Sequence, residues 1–253
     1  MTDLDIPIFV SGDSGSSITQ YFNPPIVLNN KKKYVMRLIN ATMFFTFPNI
    51  YNTTTSDHNK NNTLQFSIGA TQYNLTIPEG LYDISSLSNA ISNLLVNNGL
   101  AANSIVLSGD APTQRSIVQI NNVNLSINWT NSLLRTVLGF NAGTIGPSIS
   151  GTYYYSNNVA RFNTLSELLV HASCCTNFRN NTGTISSNSD VVASVLINTG
   201  ISSQIIYDPN QAINVEISQY VLDSVNFYVT DQENRSIINN EVWTLQFVIS
   251  EWK

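Results

Sequence analysis

Two short stretches hold most of the residue types that could do covalent or metal chemistry. The first is Ser11-Gly12-Asp13-Ser14-Gly15, a Gly-Asp-Ser block of the sort that presents a nucleophilic serine. The second is His171-Ala172-Ser173-Cys174-Cys175. A serine nucleophile needs a base, usually His, within hydrogen-bond reach. One common chain order of such a triad puts the His upstream, and no His precedes Ser14. Another needs an Asp-x-x-His block near the C-terminus of an alternating α/β chain, and no His follows His171. Ser14 therefore reads as part of a flexible turn between strands.

A structural zinc site takes four ligands at recognisable spacing. His58, the only other His, sits in a polar loop that reads as disordered. Neighbouring cysteines do not easily bridge each other, so Cys174 and Cys175 read as one buried and one exposed position on a strand. The 16 acidic residues are scattered, and no Gly-rich phosphate loop or dinucleotide fingerprint occurs. No catalytic, cofactor-binding or metal-binding residue is assigned, and the chain is not expected to be an enzyme.

Three further groups invite binding roles. In a strand, Tyr153 and Tyr155 would share one face and Tyr154 the other, which favours core or subunit packing over ligand stacking. Trp129, Trp243 and Trp252 read as core or interface anchors. Lys31-Lys32-Lys33 follows Asn29-Asn30 and precedes a strand-like run, so it reads as a solvated turn, with a phosphate contact as the lesser alternative.

The elements that would position these groups are mostly strands. Short β-branched and aromatic runs recur every 8 to 15 residues or so, the rhythm of a sandwich or barrel. They fall at 6–10, 26–28, 34–45, 63–68, 73–77, 104–107, 116–120, 123–129, 152–155, 165–173, 191–197, 204–207, 213–217, 225–230 and 242–250. Val123, Leu125, Ile127 and Trp129 alternate with Asn124, Ser126 and Asn128, as a strand with one wet face should. One amphipathic helix is expected over about 84–96. Ile84, Leu87, Ile91, Leu94 and Leu95 form its apolar stripe, Asp83 or Ser85 its cap, and Gly99 its stop. A second helical turn could span 132–138, closing on Gly139-Phe140. Loops are expected at 11–17, 53–62, 141–151 and 177–190. The fold class is all-β, an antiparallel β-sandwich of jelly-roll type in one domain spanning 1–253. A helix-bearing insertion could project at about 53–151.

Composition limits the partners. Of 253 residues only 11% are charged, against a usual quarter, and 35 asparagines with many Ser and Thr supply the polarity instead. Weak self-repulsion makes close packing of many copies electrostatically easy. A net charge of −5 and the absence of a basic stripe argue against nucleic-acid binding. No apolar run approaches the length of about 18 residues that a membrane-spanning helix needs. The acidic start Met1-Thr2-Asp3-Leu4-Asp5 lacks the positive region of a secretory signal, so synthesis in a cytosol-like compartment is expected. Eight Asn-x-Ser/Thr sequons occur, about as many as this composition yields by chance.

The order of several blocks is familiar. Tyr21-Phe22-Asn23-Pro24-Pro25-Ile26 leads to 34–40 and to Phe47-Pro48-Asn49-Ile50. Ile77-Pro78-Glu79-Gly80-Leu81-Tyr82-Asp83-Ile84 opens the helix, 134–138 ends in Gly139-Phe140, and 225–229 runs into Thr230-Asp231-Gln232-Glu233-Asn234. Over most of the chain this arrangement resembles the small jelly-roll capsid proteins, taken to be vertex (penton) proteins, of Polinton/Maverick elements, adintoviruses and virophages. The resemblance implies an antiparallel jelly roll with five copies at an icosahedral vertex. It also implies contacts to a larger major capsid protein with a double jelly roll, and residence in the virion. The family offers no catalytic residues to carry over. A carbohydrate- or receptor-binding spike module of jelly-roll type is the alternative, motivated by the tyrosine run and the polar loops.

Overall fold

The computed structural model describes residues 5–147, 149–162, 165–176, 178–181 and 186–252, with 178–181 and 186–189 as backbone. The chain divides into two compact units, one formed by Met1–Phe47 with Leu165–Lys253 and the other by Pro48–Thr164.

The first unit begins with β1 (Ile6–Gly12), β2 (Ser17–Val27) and β3 (Tyr34–Phe44). The second unit carries β4 (Thr63–Ile68), β5 (Thr71–Thr76), α1 (Ile84–Asn97), β6 (Ile105–Asp110) and β7 (Arg115–Ile120). There follow β8 (Leu125–Asn128), α2 (Arg135–Leu138), β9 (Thr144–Ile145) and β10 (Thr152–Val159). The chain then returns to the first unit with β11 (Glu167–Ala172), β12 (Phe178–Asn181), β13 (Ser186–Ser189) and β14 (Val191–Leu196). It ends with β15 (Gln204–Tyr207), β16 (Val215–Glu216), β17 (Val221–Asp231) and β18 (Trp243–Glu251).

The first unit is an antiparallel jelly roll. One sheet runs β1-β18-β3-β15, with β16 also pairing β3, and the other runs β14-β11-β17-β2. β1, β2 and β3 alternate between the sheets, as do β16, β17 and β18, so each sheet is assembled from strands far apart in sequence. Alternation explains the core. Ile8, Val10, Leu245, Phe247 and Ile249 point inward from one sheet, and Val225, Phe227 and Val229 from the other. Phe227 and Phe247 stack with ring centroids 4.7 Å apart, joining the layers at the middle. At roughly 2 kcal/mol for each large apolar side chain removed from water, these rows are the main source of cohesion.

The second unit has its own core. Strand order β5-β4-β8-β9 makes one sheet and β10-β7-β6 another. The stripe Leu87, Ile91 and Leu95 of α1 is fully buried, in a cluster with Phe66, Leu75, Ile105, Val118 and Ile127. Asp83 is the cap: its carboxylate accepts from Ser86 N at 2.7 Å while Ser86 Oγ accepts from Asp83 N at 3.0 Å, a reciprocal capping box. Hydrogen bonds from that turn, Ser86 N first, hold the Asp83 carboxyl below its ordinary value. The helix stops where Gly99 takes φ +74, with Gly99 N bonded to Val96 O and Leu100 N to Leu95 O. That is a Schellman ending, and it favours glycine because a Cβ disfavours the left-handed region.

Four expectations are corrected. The run 17–27 is one eleven-residue strand, where only 26–28 was expected to be one; Pro24 and Pro25 are tolerated because β2 is an edge strand. The loop expected at 141–151 contains β9. The loop expected at 177–190 contains the β12–β13 hairpin, with 177 and 182–185 lying outside the described residues. Val123 is not on the buried face of β8; it precedes the strand and is exposed.

Candidate functional surfaces

His171 sits in the second sheet of the jelly roll, directly opposite Tyr228 in the β11–β17 register. Its ring is buried and stacks on the Tyr228 ring, centroids 4.2 Å apart. Nδ1 lies 2.8 Å from Asp190 Oδ1 and Nε2 lies 2.9 Å from Thr230 Oγ1. Tyr228 donates its hydroxyl to the other oxygen, Asp190 Oδ2, at 2.7 Å. Burial pushes the Asp190 carboxyl up, but the hydrogen bonds from His171 and Tyr228 outweigh it and hold the group below its ordinary value. Burial, with help from the Asp190 charge, pushes the Tyr228 phenol up.

This Asp-His-Thr order has the sequence of contacts found in a hydrolytic triad. Its would-be nucleophile is buried, and Thr230 Oγ1 is also within 3.2 Å of Asp231 O, to which it can donate. A hydroxyl closed off in this way cannot meet a substrate, so the cluster works as a fully engaged polar tie between β11, β17 and the start of β14. Its partners were not legible in the sequence: Asp190 and Thr230 are 19 and 59 residues from His171.

Ser14 is exposed in the β1–β2 turn, where Gly15 takes φ +77 and bonds Asn239 O through its backbone N–H. No bond joins Ser14 to either His among the described residues. Cys174 and Cys175 are both fully buried free thiols, not one in and one out. The reason is local: they lie in the turn after β11, where Cys175 N bonds Ala172 O, and strand alternation no longer applies. The neighbouring Cys174 sulfur, then burial, pushes the Cys175 thiol far up, leaving it protonated and a poor nucleophile or ligand. His58 lies in the second unit, stacked on Tyr51 at 4.4 Å, with its backbone N–H donated to Thr55 Oγ1 at 3.0 Å. Among the described residues no three of His, Cys, Asp or Glu converge in a metal-binding group.

The surface groups behave differently from one another. Lys31, Lys32 and Lys33 line a shallow, open depression with Glu251 and Trp252. Lys32 Nζ lies 2.6 Å from Glu251, Lys33 Nζ lies 3.7 Å from Glu216, and Lys33 also sits over the Trp252 ring at 5.7 Å. Two of the three ammonium groups are therefore turned towards carboxylates of the same unit. Trp129 is buried against Phe140 and Trp243 is buried in the jelly roll, whereas Trp252 is 47% exposed and is not a core residue. Tyr153 and Tyr155 share the outer face of β10, each 57% exposed, so of the core or subunit packing expected for them the core role is excluded. Beside them in register are Gln119 and Ile117 of β7. No helix among the described residues is long and apolar enough to cross a membrane.

No protein-family model and no curated protein sequence matches the chain. Among solved structures, it is similar to the crystal structure of the mavirus penton protein. The two share 11% sequence identity, with a TM-score of 0.50 over 98% of this chain and 100% of that one. At that identity the likeness is one of fold: the chain is all-β and shares its jelly-roll architecture with a penton protein.

Proposed function

We propose that this protein is a capsid vertex (penton) subunit that assembles with copies of itself into a ring, five in number, and contacts a larger double-jelly-roll major capsid protein in the virion. The observation that carries the reading is the correspondence of fold with a penton protein over essentially the whole length of both chains. It is supported by the open outer strands of the jelly roll, by low charge, and by reactive groups that are either buried in structural contacts or isolated. The same points support a non-enzymatic role. We also read the jelly roll as one domain, with Pro48–Thr164 as an insertion between β3 and β11.

The exposed pair Tyr153 and Tyr155 favours a second reading, a spike or attachment module that binds carbohydrate or a receptor. Size-exclusion chromatography with light scattering separates the two. A mass near five protomers, with no binding on a glycan array, supports the vertex subunit. A monomer at all concentrations that binds glycans overturns it.

A further inference from the structure

We infer that two apolar patches on opposite flanks of the jelly roll dock against each other between successive copies of this chain. The inference rests on the ring reading above and names the surfaces that would close it. Strand order sets the flanks. β2 is the outer strand of one sheet and lies beside β1, the outer strand of the other. β15 is the outer strand on the opposite side, paired to β3, which in turn lies beside β14.

On the β2 flank, Val27 faces Val221 in the β2–β17 register. The inward neighbours Ile26 and Leu222 form the adjacent pair, with Leu222 fully buried, so the two valines point away from the core and are 72% and 56% exposed. Tyr220, bonded through its carbonyl to Leu28 N, adds to the patch. On the β15 flank, Ile206 lies diagonal to Phe44 across the β15–β3 ladder and is 58% exposed. The turn bearing Ile201 is tied to the end of β3 through Phe45.

The occupant follows from the match between the flanks. Side chains of this size and exposure offer roughly 300 Å² of apolar surface per patch, a size often functional on a monomer. A standard interface takes about 800 Å² from each partner, a little over half of it apolar, so each patch can form the core of one with a polar rim around it. A foreign partner would need one patch only. A second copy, related by a rotation, covers both at once, and repeated application closes a ring. Pro24 and Pro25 on β2 prevent simple ladder extension along that edge, so the flanks meet through side chains.

The test uses the full chain and two variants, Val221→Glu and Ile206→Glu, with far-ultraviolet dichroism confirming that each folds. Val221→Ser and Ile206→Ser replace them if either does not. Light scattering should find the unmodified chain as a ring and each variant alone as a monomer. An equimolar mixture of the two should give twice the monomer mass and nothing larger, because one intact patch of each kind remains. A ring that survives either substitution, or a mixture that stays monomeric, overturns this assignment while leaving the ring reading in place. An unmodified chain that is monomeric at every concentration overturns both.

Discussion

Gly12 and Trp243 face each other across the β1–β18 ladder, and the indole occupies the space a side chain on Gly12 would take. A Cβ built there falls 2.5 Å from Trp243 Nε1 and 2.6 Å from Cε2. The backbone of Gly12 is not left-handed, so close approach alone demands the glycine here. Gly12→Ala should therefore destabilise the jelly roll by about 1–3 kcal/mol through overpacking, read as a lower urea midpoint. The double variant Gly12→Ala with Trp243→Leu should recover part of that loss relative to the sum of the single changes.

The Asp190 cluster makes a prediction with a definite sign. The folded carboxyl lies below its ordinary value of 3.8, so its contribution is complete above that pH and is lost as pH falls through the lower, folded value. Acid unfolding of Asp190→Asn should thus show a shallower dependence on pH below about 4 than the unmodified chain. Identical acid limbs would rule out the cluster as a source of stability. Tyr228→Phe, which removes one donor to Asp190, should cost about 1 kcal/mol.

The capping box of α1 is testable on its own. Asp83→Ala should cost about 1 kcal/mol, and Ile91→Ala, which empties a fully buried site, about 2–5 kcal/mol. Hydrogen exchange should show the loss concentrated in residues 84–97 for the cap variant.

Cys174 and Cys175 should resist a thiol reagent at neutral pH in the native protein and react fully in denaturant. Rapid labelling of either thiol in the folded chain would contradict the burial and the raised Cys175 value.

Tyr153→Ser with Tyr155→Ser should leave thermal stability nearly unchanged, since both rings are more than half exposed. If glycan binding exists and disappears in this variant while ring mass persists, the attachment reading applies to this face.

Local pattern made the strand rhythm and α1 legible. Ile127 and Trp129 alternate with polar residues, and Leu87, Ile91 and Leu95 repeat at helical spacing, so the core faces followed from period alone. Of β2 only the end at 26–28 was legible, because prolines ordinarily interrupt a strand, and only its place at the edge of a sheet permits Pro24 and Pro25 there. The Asp190–His171–Thr230 contacts are long-range, and no periodicity encodes them. Trp252 and the two exposed tyrosines show a similar limit: residue type gives their preference for burial, while the neighbouring strands decide whether burial is available.

The seating of β18 between β1 and β3 carries a consequence for biosynthesis. Ile6 pairs with Ile249 and Thr42 with Thr244, so the strand that joins β1 to β3 leaves the ribosome long after both of them. Until it emerges, β1 and β3 are not joined in one sheet, and Phe227 lacks the Phe247 ring that stacks on it. Assembly of this sheet must then wait on long loop closures, which are slow, and a nascent chain halted before Trp243 should depend on chaperones.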